Sequence, residues 1–150
     1  MQANSDLYAK IELFLSCRSL RDMDMFSKSD PYVKVAYKRD FTQQQYYPLG
    51  RTETIKNNIN PNYSQSFVLD YVFESRQDIR FDIYDDDGGS NDDFIGYVET
   101  TVGNLMGARS QTAILDLKND KSPNKSSGKL VVRCEKLQDT NCSCTVMKNT

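Results

Sequence analysis

The sequence predicts an all-β fold, an antiparallel β-sandwich with about seven or eight short strands. Three observations lead there. The dominant apolar period is two, clusters of turn-forming residues punctuate the apolar runs, and no convincing amphipathic helix is found. Ala9, Ile11, Leu13, Leu15 and Cys17 alternate with Lys10, Glu12, Phe14, Ser16 and Arg18, the pattern of a half-buried strand. Val33, Val35 and Tyr37 alternate in the same way with Tyr32, Lys34 and Ala36. Phe67, Leu69, Tyr71 and Phe73 form the next inward set, and Ile79, Phe81 and Ile83 the one after it. Shorter runs follow over 94–102 and 113–117, and Leu130, Val132 and Cys134 mark the last strand. Asn60-Pro61-Asn62 and the stretch 86–91 break the pattern, and a short helical turn is expected near 102–107. Residues 118–128 are polar, contain Pro123 and Gly128, and read as a loop, while 139–150 have little to bury and read as a frayed tail.

A chain of 150 residues is long enough for one domain with a proper core. Its net charge of −2 carries no basic excess, so bulk nucleic-acid binding is not expected. The absence of histidine removes His-based acid/base chemistry, Ser-His and Cys-His triads, and His-ligated zinc. No apolar run approaches the roughly 20 residues of a membrane-spanning helix. The N-terminal residues have neither the basic start nor the apolar core of a secretory signal. The expectation is therefore a cytosolic chain with reduced Cys17, Cys134, Cys142 and Cys144, in which the glycosylation-like triplets at Asn62, Asn124 and Asn141 carry no meaning.

Five aspartates stand in two clusters, Asp24 with Asp30 and then Asp85, Asp87 and Asp93, each interrupting a strand-like run with a loop. If the strand through Ile83 stays extended, Asp85 and Asp87 point to the same side, and Gly88 and Gly89 let the chain curl so that Asp93 returns toward them. Asp30 precedes Pro31, which biases it to extended geometry at a loop-to-strand junction. Two loops at one end of a sandwich can thus converge their carboxylates into an oxygen-rich site. Calcium, with six to eight oxygens at flexible geometry, suits such a site better than magnesium with its tight octahedron. The competing reading is that Asp, Asn, Ser and Gly here are solvated turn formers. An EF-hand does not fit, because the sixth position from Asp85 is Ser90 and the twelfth is Gly96. A glycosidase-like carboxylate pair is a further alternative, but nothing marks a substrate cleft.

The motifs together resemble a C2 domain, most closely the first C2 domain of the copines. Residues 17–32, with Asp24 and Asp30-Pro31-Tyr32, resemble the first calcium-binding loop of that family. Arg51-Thr-Glu-Thr-Ile-Lys-Asn-Asn-Ile-Asn60-Pro61 is similar to a family segment, and Phe81 to Asp85 with Asp93-Phe-Ile-Gly96 resembles the third calcium-binding loop. The resemblance covers 6–137, leaving 1–5 as an extension and 138–150 as a flexible tail. It implies calcium as cofactor, held by the side chains of Asp24, Asp30, Asp85, Asp87 and Asp93, the backbone carbonyls of Met23 and Asp86, and Ser90. Asp92 is read as a solvated neighbour. One strand precedes the first loop, and 128–134 resemble the opening strand of synaptotagmin-like members, which implies the circularly permuted type II topology. Copines also carry a second C2 domain and a von Willebrand A-like domain, neither of which lies in these residues.

The implied function is calcium-dependent docking on anionic phospholipid, phosphatidylserine above all, by a cytoplasmic module recruited peripherally to membranes, the plasma membrane among them. Met25 and Phe26 form an apolar pair at the tip of the first loop, read as a membrane contact or as a pair folded back onto the sandwich, and Lys28 is placed to touch head groups. The third loop has no apolar tip, and the strand expected over 66–73 lacks the lysine cluster that binds inositol phospholipids in some members. Cys144 to Met147 would resemble a prenylation box only if the chain stopped at Met147, and it runs on to Thr150. The resemblance supplies no catalytic motif, so an enzyme is not expected. The alternative function is a protein-interaction domain with a structural or vestigial calcium site.

Overall fold

Strict alternation becomes structure most plainly in β1 (Tyr8–Arg18), where Ile11, Leu13, Leu15 and Cys17 are buried and Lys10 and Arg18 face solvent. The computed structural model describes residues 8–22, 28–40 and 42–137. β1 is followed by β2 (Pro31–Tyr37), β3 (Tyr47–Arg51), β4 (Phe67–Val72), β5 (Asp78–Asp85) and β6 (Asp93–Thr101). A one-turn helix α1 (Val102–Met106), a 3₁₀ turn at Arg109–Gln111, β7 (Thr112–Asp116) and β8 (Lys129–Lys136) complete it. The eight strands form two four-stranded sheets, ordered β4-β1-β8-β7 and β3-β2-β5-β6, with every pairing antiparallel. This is the all-β sandwich the alternation predicts. β1 and β8, far apart in sequence, lie side by side in the middle of the first sheet.

The inward residues of both sheets make one core. Ile11, Leu13, Leu130 and Val132 from the first sheet meet Val33, Ile79, Phe81, Ile83 and Ile95 from the second, all with no exposed surface. Cys17 and Cys134 are buried free thiols in it, as their strand positions predict. The helical turn expected near 102–107 is α1. Thr101 caps it by accepting a hydrogen bond from the Asn104 N–H, and Val102 and Leu105 are its buried residues.

Three features depart from the sequence reading. β3 is not among the strands the alternation picks out. It lies at a sheet edge and carries Pro48, and only Tyr47 and Leu49 alternate with exposed neighbours before the ladder shifts register at Val35 and Ala36, so its strand character comes mainly from pairing with β2. Phe73, expected to face inward, is 54% exposed because β4 ends one residue earlier, at Val72. Tyr32 points outward from β2 as expected but is only 3% exposed, because Arg51 and Tyr84 cover its ring.

β2 begins at the same end of the sandwich where β5 stops and β6 starts, since Pro31 pairs with Asp85 and Asp85 with Asp93. The loop 118–128 also returns to this end. Gly128 sits there at φ +111°, and a Cβ on it would come within 2.8 Å of the Leu20 Cα and 2.9 Å of the Ser19 carbonyl oxygen, so only glycine lets β8 start so close to the end of β1.

Candidate metal centre

The β5–β6 ladder changes register one step before the acidic loop. Ile83 pairs with Gly96, but Tyr84 pairs with Phe94, which leaves Ile95 as an extra residue on β6. The bulge sets the next pair. Without it Asp85 would face Phe94; with it Asp85 faces Asp93. The carboxylates of Asp85, Asp87 and Asp93 each present an oxygen within 4.8 Å of the others. Asp85 is almost fully buried, at 1% exposed, whereas Asp87 and Asp93 open to solvent. At this spacing each like-charged pair repels by between about 1 kcal/mol in water and about 4 kcal/mol in a protein-surface environment.

The spacing fits a hard cation. Oxygens that share a calcium ion at about 2.4 Å lie no further apart than about 4.8 Å. The donors are carboxylates, two of them solvent-facing, which leaves approach open from one side. Of the residues expected in this site, Asp85, Asp87 and Asp93 are brought together. Asp30 joins through its backbone: its N–H donates to Asp85 Oδ1 at 2.8 Å, while its own Oδ1 accepts from the Asn57 N–H at 2.7 Å. Asp86 donates its N–H to the Asp30 carbonyl at 2.9 Å, which ties the two loops together. Ser90 and Lys28 are exposed. Met23, Asp24, Met25 and Phe26, and likewise Cys142 and Cys144, lie outside the described residues.

Asp92 is not the free solvated neighbour the sequence suggests. The Tyr32 hydroxyl donates to its Oδ2 at 2.5 Å, and the Asp87 N–H donates to its Oδ1 at 3.0 Å. The Tyr32 hydroxyl, first, and then that N–H hold the Asp92 carboxyl below the usual carboxylate range, while burial and the Asp92 hydrogen bond push the Tyr32 phenol up. On the other limb of the loop, Thr54 Oγ1 donates to Asp86 Oδ2 and accepts from Arg51 Nη2, both at 2.8 Å. Sequence reasoning missed Tyr32, Arg51 and Thr54 as supports of the loop. The one signal available was the Tyr32 hydroxyl, at a position that strand alternation sends outward.

The outer face of the β3-β2-β5-β6 sheet adjoins this loop and is aromatic and cationic. Tyr32 stacks on Tyr84 (centroids 5.7 Å), Tyr84 meets Phe94 edge-on (5.3 Å), and Phe94 stacks on Tyr97 (6.3 Å). Arg51 lies 3.5 Å over Tyr32, Lys34 4.8 Å over Tyr84, and Arg80 4.2 Å over Tyr97. These cations lie on β2, β3 and β5, and Arg80 is also paired with Asp82 and Glu99.

Residues 9–117 match the family model of the C2 domain. The chain is 35% identical over 135 residues to Copine-E and 36% identical over 132 residues to Copine-A, both of Dictyostelium discoideum. The matches take in 87% and 88% of this chain but 23% and 21% of those proteins, so it spans less than a quarter of the length of these curated relatives. Among solved structures it resembles a C2 domain of plant Extended Synaptotagmin 1, with a TM-score of 0.64 at 19% identity over 87% of this chain and 97% of that one. It also resembles the calcium-bound tandem C2 domains of Extended-Synaptotagmin 2, with a TM-score of 0.61 at 18% identity over 87% of this chain and 46% of that one. Human GIVD cytosolic phospholipase A2 shares the fold over 88% of this chain and 17% of its own, with a TM-score of 0.61 at 18% identity. These structural likenesses are ones of fold.

Proposed function

The chain belongs to the C2 domain family, and we propose that it is a calcium-dependent phospholipid-binding module, a non-catalytic one, that docks on anionic membrane through its aspartate-bearing loops. The observation that carries this reading is the convergence of Asp85, Asp87 and Asp93 on one another within calcium-sharing distance. Such a group keeps its mutual repulsion unless a cation fills it. Asp24 and Asp30 are proposed to complete the side-chain ligands, with the carbonyls of Met23 and Asp86 and the Ser90 hydroxyl as further oxygens.

In the absence of cation, the loop carboxylates repel an anionic surface. Bound calcium supplies the positive charge that reverses this repulsion and the open coordination positions that lipid phosphate can enter. The chain's own part is to hold its carboxylates in register through the β6 bulge and to keep one side of the group open to solvent. Lys34 and Arg51 place cations on the adjoining sheet face, each worth about 1 kcal/mol near an anionic surface. Met25 and Phe26 are proposed as the apolar contact and Lys28 as a head-group contact, with phosphatidylserine as the preferred lipid. No helix among the described residues is long and apolar enough to cross a membrane. Attachment is proposed to be peripheral, from the cytoplasmic side. The permuted type II assignment is part of the same reading. It is supported by the single strand before the first loop and by the pairing of β8 with β1.

Vesicle sedimentation tests the proposal. The chain should pellet with phosphatidylserine vesicles in calcium, stay in the supernatant with chelator, and ignore zwitterionic vesicles under both conditions. Equal pelleting with and without chelator would sink it.

A further inference from the structure

The third loop leaves the sheet at Asp85 and re-enters it at Asp93, and one side chain joins its two limbs. Asp92, on the returning limb, accepts from the Asp87 N–H on the outgoing limb at 3.0 Å through one carboxylate oxygen. Its other oxygen accepts from the Tyr32 hydroxyl at 2.5 Å. Both oxygens are thus engaged by protein donors, and the carboxylate is turned to the sheet face. Tyr32 is a firm anchor: it lies within β2, is 3% exposed, and is covered by the Arg51 guanidinium on its ring and by the stacked Tyr84. Between the two limbs the loop tip has little to rest on, since a Cβ at Gly88 or Gly89 would meet nothing within 4 Å.

We propose that Tyr32 and Asp92 form a clamp that sets the calcium affinity of the Asp85, Asp87 and Asp93 group by holding its two limbs at binding distance. The proposal rests on the calcium reading of that group. The physical reason is preorganisation. Three converging carboxylates push the limbs apart, and any opening of the loop must be reversed when the cation binds. The Tyr32 hydroxyl opposes the opening through Asp92 and fixes the outgoing limb at the residue that carries one of the three carboxylates. Tyr32 and Asp92 are therefore positioning residues, not ligands. Thr54 has the parallel part at the base of the outgoing limb, through Asp86.

The test is titration of calcium chloride into the whole chain by calorimetry, well below the melting temperature, with four variants. Tyr32→Phe removes only the hydroxyl, keeps the stacked ring and leaves the loop charge untouched. It should weaken calcium binding about tenfold, the scale of one hydrogen bond to a charged group. Asp92→Ala should weaken it at least as much, and the double variant Tyr32→Phe/Asp92→Ala no further than Asp92→Ala alone, since the two residues act as one unit. Asp92→Asn can still accept from the Asp87 N–H and donate to the Tyr32 oxygen, so it should retain more affinity than Asp92→Ala despite losing the same charge. Unchanged affinity in Tyr32→Phe, with Asp92→Asn and Asp92→Ala equally weakened, would mean that only the Asp92 charge matters and would overturn the clamp while leaving the calcium reading intact. No calcium binding by the unaltered chain would overturn both.

Discussion

The interior of the sandwich and the outer face of its second sheet are built from alternate residues of the same strands, yet they follow different physics. On β2 and β5, Val33, Val35, Ile79, Phe81 and Ile83 turn inward and are buried without a polar partner to satisfy. Their neighbours Tyr32, Lys34, Arg80 and Tyr84 turn outward into a mesh of stacked rings and cations. The interior is held by area removed from water, which is non-directional and tolerates rearrangement of like for like. The outer face is held by directed contacts, and those contacts reach the acidic loop through Tyr32–Asp92 and Arg51–Thr54–Asp86. Stability thus resides mainly inside, and the acidic loop is tied to the outer face.

That division can be broken by experiment. The largest effect expected is on Cys17, whose burial pushes its thiol up to about 12. At pH 8 such a thiol is ionised to about one part in ten thousand, so alkylation of Cys17, followed by mass spectrometry of its peptide, should be about a thousandfold slower in the folded chain than in denaturant. Rapid labelling of the native chain would mean that the interior opens more readily than the burial implies. Next is Phe81→Ala, which removes the largest fully buried side chain of the core. It should cost about 3–5 kcal/mol in urea unfolding, with calcium affinity of the folded fraction unchanged; a matching loss of calcium affinity would erase the distinction between interior and outer face.

The outer-face variants should do less to stability and more to binding. Arg51→Ala loses the stack on Tyr32 and the hydrogen bond to Thr54, for about 1–2 kcal/mol of stability. It should also weaken calcium-dependent vesicle binding about fivefold. Lys34→Ala should be the mildest, with less than about 0.5 kcal/mol of stability lost because the residue is exposed. Its vesicle affinity should fall up to about fivefold at low salt, a deficit that fades as salt rises. Loss of stability without loss of vesicle binding in both would remove the outer face from the docking account.

How much of this was legible in the sequence follows from the range of the forces involved. The inward sets of β1, β2, β5 and β8 are local patterns of period two, and burial follows them closely. Phe73 broke the pattern because nothing local announces where β4 stops. β3 was invisible because a five-residue edge strand with Pro48 and a bulged ladder owes its form to a partner ten or more residues away in the chain. Within the site, Asp85, Asp87 and Asp93 were legible from oxygen chemistry and spacing. The bulge at Ile95 that puts Asp93 opposite Asp85 was not, since it is a property of pairing between two strands. The hydrogen bonding of Asp92 was not legible because its partner Tyr32 lies 60 positions earlier, and only the sheet brings them together.

The central claim is that the converging carboxylates are a calcium switch for membrane attachment. Its most direct test is a calcium titration of binding to phosphatidylserine vesicles, with the unaltered chain beside Asp85→Asn/Asp87→Asn. The account predicts saturable, chelator-reversible binding by the unaltered chain and its loss in the double variant at every calcium concentration that saturates the unaltered chain, with the melting temperature in chelator unchanged or raised. Binding of the double variant along the same calcium curve would contradict it.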